Sequence, residues 1–202
     1  TAVEGGWVPV NATFADAGTL DTHSATIDWG DGSPLQSVAA ESLGGAGALA
    51  ARHVYGDEGR YLVSVRVQDD DGGASVSTLQ VTVGNAAPLV ESGPDRTLEV
   101  GQVLSLPSPY AAALESPLSG PLTIQLLAGS FRDAGALDRH TATIDWGDGQ
   151  TESVLVEERP QVSAGVASGI SGQVKSTHSY ASAGLFRVTV HVSDGDGAMG
   201  ED

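Results

Sequence analysis

Eight aspartates stand at repeating places in this chain. Asp16, Asp21, Asp69 and Asp71 lie in its first half, and Asp133, Asp138, Asp194 and Asp196 in its second. The first two of each set fall in a loop that holds a glycine, and the last two in an Asp-x-Asp-Gly turn. Carboxylates gathered in one place repel unless they are protonated or bridged by a cation. Oxygen donors with glycine-permitted carbonyls suit calcium, which takes roughly six to eight oxygen ligands. The plain alternative is a pair of solvated turns. Asp-x-Asp-Gly by itself is not an EF-hand loop, which needs a third Asp and a closing Glu that neither half supplies.

Other residue types invite other chemistry. His23, His53, His140 and His178 recur as matched pairs, and His191 stands alone. With Ser and Asp nearby, a hydrolase triad is conceivable. However, both halves would need it, and no Gly-x-Ser-x-Gly elbow is present. A repeated His-x-Tyr fits a structural place at a strand end better. Zinc on His53 or His178 has no second His at the usual three-to-five spacing. Asp31 and Asp148 sit in Gly-Asp-Gly turns, where a carboxylate commonly accepts N–H bonds from its own turn. Trp29 and Trp146 could be sugar platforms, but each shares a face with the Ile two residues before it, which places them in the core.

The element that must position these groups is Ala25-Thr26-Ile27-Asp28-Trp29-Gly30-Asp31-Gly32. It returns unchanged at residues 142–149, 117 positions on (Asp28 to Asp145). Two copies of one unit follow from an identity of this length. Small or polar residues alternate with Ile and Trp, the period of a half-buried strand, and Gly-Asp-Gly then stops it. The match extends upstream, where Phe14-x-Asp16-x-Gly18-x-x-Asp21-x-His23 pairs with Phe131-x-Asp133-x-Gly135-x-x-Asp138-x-His140. Downstream, His53-x-Tyr55, Gly59, Tyr61 and Val63, Val65 and Val67 pair with His178-x-Tyr180, Gly184, Phe186 and Val188, Val190 and Val192, 125 positions on (His53 to His178). The second copy thus holds eight more residues between its turn and its His-x-Tyr, which marks a loop.

This ordered set resembles the PKD domain, the immunoglobulin-like repeat named from polycystic kidney disease protein. The resemblance covers most of the chain. It implies an all-β fold of two immunoglobulin-like β-sandwiches in tandem. It also implies an extracellular or cell-surface setting on a bacterial-type secreted or surface protein, and adhesion or spacing rather than catalysis. In such sandwiches the loop entering the central strand and the turn leaving the Val-rich strand lie at one end. That would bring each set of four aspartates together, and the resemblance allows calcium there. Trp29, Trp146, Tyr55, Tyr180, Tyr61 and Phe186 are then the expected structural core.

Composition narrows the partners. The net charge is −17, with Lys175 the single lysine, so a phosphate backbone is repelled and nucleic acid is a poor partner. No cysteine is present, which excludes disulfides, thiolate metal sites and a Cys nucleophile. No run approaches the ~18 apolar residues of a membrane span. The remaining partners are other repeats of the same chain, or a protein or glycan ligand at the cell surface. A carbohydrate-binding accessory module of a secreted hydrolase is the second reading. It rests on Trp7 and Tyr110 alone.

The expected division is residues 1–84 and 85–202, with Gly84-Asn-Ala-Ala-Pro88 as a short, semi-rigid linker. In the first copy strands are expected at Trp7–Phe14, Ser24–Trp29, Leu35–Ala40, Leu49–Tyr55, Arg60–Gln68 and Ala74–Val83, with Leu43–Ala48 as loop. Pro9 keeps the first of these near an edge. In the second copy strands are expected at Leu89–Glu91, Thr97–Leu106, Leu122–Phe131 and Phe186–Ser193. Residues 107–121 read as an insertion with a short helix at Tyr110–Glu115, and Val162–Gly172 as loop. Unit one is expected to lack its opening strand and unit two its closing one, as a window cut from a longer array. Open, sticky sheet edges follow from that.

Overall fold

The computed structural model describes residues 2–93, 122–163, 166–180 and 184–202. The expected strand at Thr97–Leu106, the insertion and the helix at Tyr110–Glu115 lie outside those residues. The chain is all-β and divides into two compact units, Thr1–Asn85 and Ala86–Asp202. Each is an immunoglobulin-like sandwich.

In the first unit the strands are β1 (Ala2–Val3), β2 (Trp7–Ala15), β3 (His23–Asp28), β4 (Gln36–Ala39), β5 (Glu41–Leu43), β6 (Ala46–Val54), β7 (Gly59–Asp69) and β8 (Ala74–Gly84). One sheet runs β1-β8-β7-β3-β4 and the other β2-β6-β5. Alternation decides which side chains face inward. Ala25 and Ile27 on β3, and Val63 and Val65 on β7, are buried and meet Val8, Val10 and Leu49 from the facing sheet. Trp29 closes this core at 1% exposure. Along β8 only Val81 and Val83 reach the core, whereas Val76 and Leu79 stay exposed. Pro9 does lie on an edge strand, since β2 pairs only with β6 among the described residues. The two-residue β1 runs parallel to β8.

The second unit holds β9 (Leu89–Glu91), β10 (Leu122–Asp133), β11 (Thr141–Asp145), β12 (Thr151–Val154), β13 (Val156–Ser163), β14 (Val166–Tyr180), β15 (Thr189–Ser193) and β16 (Met199–Glu201). Its sheets run β13-β14-β10-β9 and β12-β11-β15-β16. Val90, Phe131, Ile170, Val174 and Tyr180 from one sheet pack on Ala142, Ile144, Trp146, Val190 and Val192. Strand β16 pairs with the end of β15 as a short closing strand.

Two stretches read as loop are strand. Leu43–Ala48 is the tip of a tight hairpin: Gly44 and Gly45, at φ of 61° and 81°, form the two-residue turn between β5 and β6. Two successive positive φ angles match the twist of paired strands. Of the stretch at 162–172, the described residues 162–163 and 166–172 likewise belong to the β13–β14 pair, with Val162 opposite Ala167 and Pro160 opposite Ile170. The longer second copy thus extends a hairpin. Small residues hid it, because Gly, Ser and Ala carry no apolar period.

The glycines of the repeated octet have a steric reason. Gly147 has φ of 74°, and a Cβ there would lie 2.3 Å from the Arg187 carbonyl oxygen; Gly30 meets the Leu62 carbonyl in the same way. Left-handed backbone costs a non-glycine residue ~1–2 kcal/mol, and a forced shift of packed backbone ~1–3 kcal/mol. Gly147→Ala should therefore destabilise the second unit by about 3 kcal/mol. Calorimetry would show its transition about ten degrees or more lower. An unchanged transition would show that the turn relaxes freely.

Candidate functional site

The loop after β2 and the turn after β7 meet because β3 pairs with β7, placing His23 opposite Asp69. In the first unit Asp16, Asp21 and Asp69 converge, each with a carboxylate oxygen within 4.8 Å of the others. Local bonds build this end. Asp16 Oδ1 accepts the Gly18 N–H at 3.0 Å, and Asp69 Oδ1 accepts the Gly73 N–H at 2.7 Å. The Asp21 carboxylate lies over Gly18, where any Cβ would clash with it. That contact explains the Asp-x-Gly-x-x-Asp spacing. Asp71 is not in the trio. Its neighbour Asp70 accepts the Thr22 N–H at 3.0 Å and ties the two loops together.

Asp21 responds to its surroundings. Burial pushes its carboxyl up from the ordinary value, and the charges of Asp16, Asp70, Asp71 and Asp69 push it further. Asp16 is moved the other way, held low by the Gly18 N–H and by His23.

The second unit uses the same loops differently. Asp133, Asp138 and His140 form its close group, and all three are buried. Asp133 Oδ1 accepts the Gly135 N–H, and its Oδ2 meets His140 Nε2 at 2.9 Å. Glu158 on β13 accepts the His140 N–H at 2.7 Å and lies 3.0 Å from Nδ1. In the first unit that nitrogen meets only the Ser42 hydroxyl, at 3.2 Å. Asp194 is not in the group. Its Oδ1 accepts the N–H groups of Asp196, Gly197 and Ala198 and caps the turn.

From sequence Asp133, Asp138 and Asp194 read as solvated loop residues or ion ligands, and no motif assigns His23, His140 or Glu158 to this end. A signal was present: His follows the first Asp by seven residues in both copies. The contact itself is tertiary, set by the loop folding back on its own strand.

At the other end, the repeated His-x-Tyr and Trp form one stack per unit. The His53 ring lies flat on Trp29 at 4.8 Å and 13°, and Tyr55 stacks on Tyr61 at 4.2 Å. His178 on Trp146, and Tyr180 on Phe186 at 4.0 Å, repeat this arrangement. The Tyr55 hydroxyl donates to the Trp29 carbonyl at 3.0 Å, and Tyr180 to Trp146 at 2.7 Å. Burial first, then Asp31 and Asp148, push these phenols up to about 12. Trp29, Trp146, Tyr55 and Tyr180 are core, whereas Tyr61 and Phe186 are half-buried at its rim.

Asp31 and Asp148 cap their own turns, accepting N–H bonds from Ser33 and Gln150, and each also pairs with the stacked His at 2.6 and 2.9 Å. Burial pushes the Asp31 carboxyl up, but the Ser33 hydroxyl, His53 and the Ser33 N–H outweigh it and hold it below the ordinary value. His178 does the same for Asp148. A carboxylate whose native pKa is lowered adds stability above its unfolded pKa, near 3.8. That stability is lost as pH falls through the native value. Melting temperature should thus fall steeply below about pH 4. The Asp31→Asn, Asp148→Asn double variant should flatten that fall. A profile identical to the parent's would show that these turns do not set the acid limit.

The PKD domain family model matches residues 1–83. No curated protein matches the chain. The PKD domain is an immunoglobulin-like, non-catalytic module that occurs in extracellular proteins. The PKD match covers the unit that carries the three-carboxylate end, so Asp16, Asp21 and Asp69 all lie within it. No helix among the described residues is long and apolar enough to cross a membrane.

Proposed function

We propose that the chain is a non-catalytic spacer and adhesion module of an extracellular or cell-surface protein, with calcium stiffening the loop end of its first unit. The observation that carries the calcium reading is the convergence of Asp16, Asp21 and Asp69. The Asp21 carboxyl is raised first by burial and then by the charges of Asp16, Asp70, Asp71 and Asp69, and a bound cation would relieve that second, anionic part. All three are oxygen donors, as calcium prefers. In the second unit the third member is an imidazole, already held by Asp133 and Glu158. The calcium reading therefore narrows to the first unit.

An ion that binds only the folded state adds about 2.7 kcal/mol at a hundredfold excess over its dissociation constant. Melts in EDTA, in millimolar calcium and in magnesium test this. Calcium alone should raise the first unit's transition by several degrees. Asp21→Asn should abolish the rise, and Asp138→Asn should leave it intact. A transition that ignores calcium would overturn the reading and leave a plain spacer.

Carbohydrate binding has one observation in its favour: Trp7 is 59% exposed on β2. The Arg52 guanidinium lies 4.2 Å over its ring and occupies one face. Tyr110 lies outside the described residues. Glycan binding that Trp7→Ala removes would establish this alternative.

A further inference from the structure

The loop end of the second unit holds a different donor set from that of the first. Asp133, Asp138 and His140 each bring a donor atom within 4.8 Å of the other two, and all three residues are buried. The Asp138 carboxylate folds back over Gly135, where a Cβ would lie 2.1 Å from Oδ2. The imidazole is oriented from its far side. Glu158 on β13 accepts the His140 backbone N–H and lies 3.0 Å from Nδ1. An ionised carboxylate only accepts, so Nδ1 carries a proton and donates it. Nε2 then points at Asp133 Oδ2, 2.9 Å away, while Asp133 Oδ1 is occupied by the Gly135 N–H. A nitrogen lone pair and a carboxylate oxygen face each other at this distance only with a positive charge to share. That charge is either a second proton on the ring or a metal ion. The first unit lacks the orienting acid, since His23 Nδ1 faces the Ser42 hydroxyl at 3.2 Å.

We infer that Asp133, Asp138 and His140 are the protein ligands of a transition-metal ion in the second unit, with zinc as the ion that fits best. The donor chemistry selects it. An imidazole nitrogen with two carboxylates suits zinc, whereas calcium and magnesium take oxygen donors. A ligating histidine almost always gives its other N–H to a carboxylate, a carbonyl or water, which fixes the tautomer and raises the basicity of the ligand. Glu158 holds that place. Size agrees as well. Bonds of about 2.0–2.2 Å set neighbouring tetrahedral ligands about 3.3 Å apart. The 2.9 Å contact between Asp133 and His140 therefore has to open by only a few tenths of an ångström. Charge points the same way. Three carboxylates, those of Asp133, Asp138 and Glu158, surround one imidazole, and a buried divalent ion offsets them better than a single proton does. The ion would tie the loop after β10 to the start of β11 and stabilise the second unit. The inference goes beyond the calcium reading, which concerns the other unit and another ion, and neither depends on the other.

The test titrates zinc chloride into the chelator-treated, ¹⁵N-labelled 202-residue chain, read by calorimetry and by long-range ¹H–¹⁵N spectra of the imidazole rings. One zinc ion per chain is expected. The His140 Nε2 resonance should move to the metal-bound range while Nδ1 keeps its proton, and His23 should not move. The second unit's melting transition should rise with zinc, and excess calcium should not reverse the rise. Glu158→Gln should weaken zinc binding about 10–100-fold, the usual loss for an orienting partner, and Asp138→Asn at least as much. Asp21→Asn, in the first unit, should leave zinc binding unchanged. Absence of stoichiometric binding, equal affinity in the Asp138→Asn and Glu158→Gln variants, or shifts confined to His53, His178 or His191 would each overturn the proposal. So would an Nε2 that keeps its own proton at zinc saturation, because a proton alone would then bridge His140 and Asp133. The ring spectra of the parent chain decide the matter even where a variant fails to fold.

Discussion

Trp29→Ala should cost the first unit about 3–5 kcal/mol, a large part of what a small domain has. Trp29 ends the repeated strand and is 1% exposed. Four interactions meet on this residue. Its Nε1 donates to Gln36 at 2.8 Å, its carbonyl accepts the Tyr55 hydroxyl, its ring carries His53, and its mass fills the space between the sheets. Alanine keeps the carbonyl but leaves a cavity that the stiff Val and Ile neighbours cannot fill. His53 also loses the surface that holds it against Asp31. Denaturant unfolding followed by circular dichroism would show the first unit's transition lost or moved to much lower denaturant. A variant that unfolds like the parent would mean that the ring does not carry the core.

His140→Ala is expected to cost a similar amount, about 3–5 kcal/mol, for an electrostatic reason. The side chains of His140 and Asp133 are both 0% exposed, and their atoms lie 2.9 Å apart. Removing the imidazole leaves the buried Asp133 carboxylate close to Asp138 and without the partner that faced it. His23→Ala removes the equivalent group from the first unit, but there Asp16 keeps 24% of its side chain in solvent. Partly exposed pairs contribute about 1 kcal/mol or less. The two variants should therefore differ by several degrees in melting temperature. Adding Asp133→Asn to His140→Ala should recover a good part of the loss, since the uncompensated charge goes with it. Equal losses at His23 and His140, or no recovery in the double variant, would show that lost packing rather than a stranded charge sets the cost.

The contrast between these histidines shows where reading from sequence stops. The repeat, the strand at Ala25–Asp28, the Val-alternating strand after Gly59 and the inward Trp were all legible, because each is written in a local period or an exact recurrence. The end at which the aspartates gather was legible too, since strand order in a sandwich dictates which loops are neighbours. Which of them meet was not. Asp69 joins Asp16 and Asp21, but Asp194 turns to its own backbone, and His140 takes the third place in the second unit. Identical motifs diverge there because the second copy's longer hairpin brings Glu158 onto His140, a partner 18 positions away.

By itself, then, the sequence determined an all-β chain of two related units, the core faces of their strands, and the glycine turns that end them. These follow from side-chain alternation and backbone sterics within a few residues. Tertiary structure alone decided that the small-residue stretches at 43–48, 162–163 and 166–172 belong to hairpins, because their pairing depends on the opposite strand and not on their own period. It also decided which carboxylates are buried against an imidazole and which are crowded against one another. The balance between desolvation and pairing is set by groups brought together from distant parts of the chain.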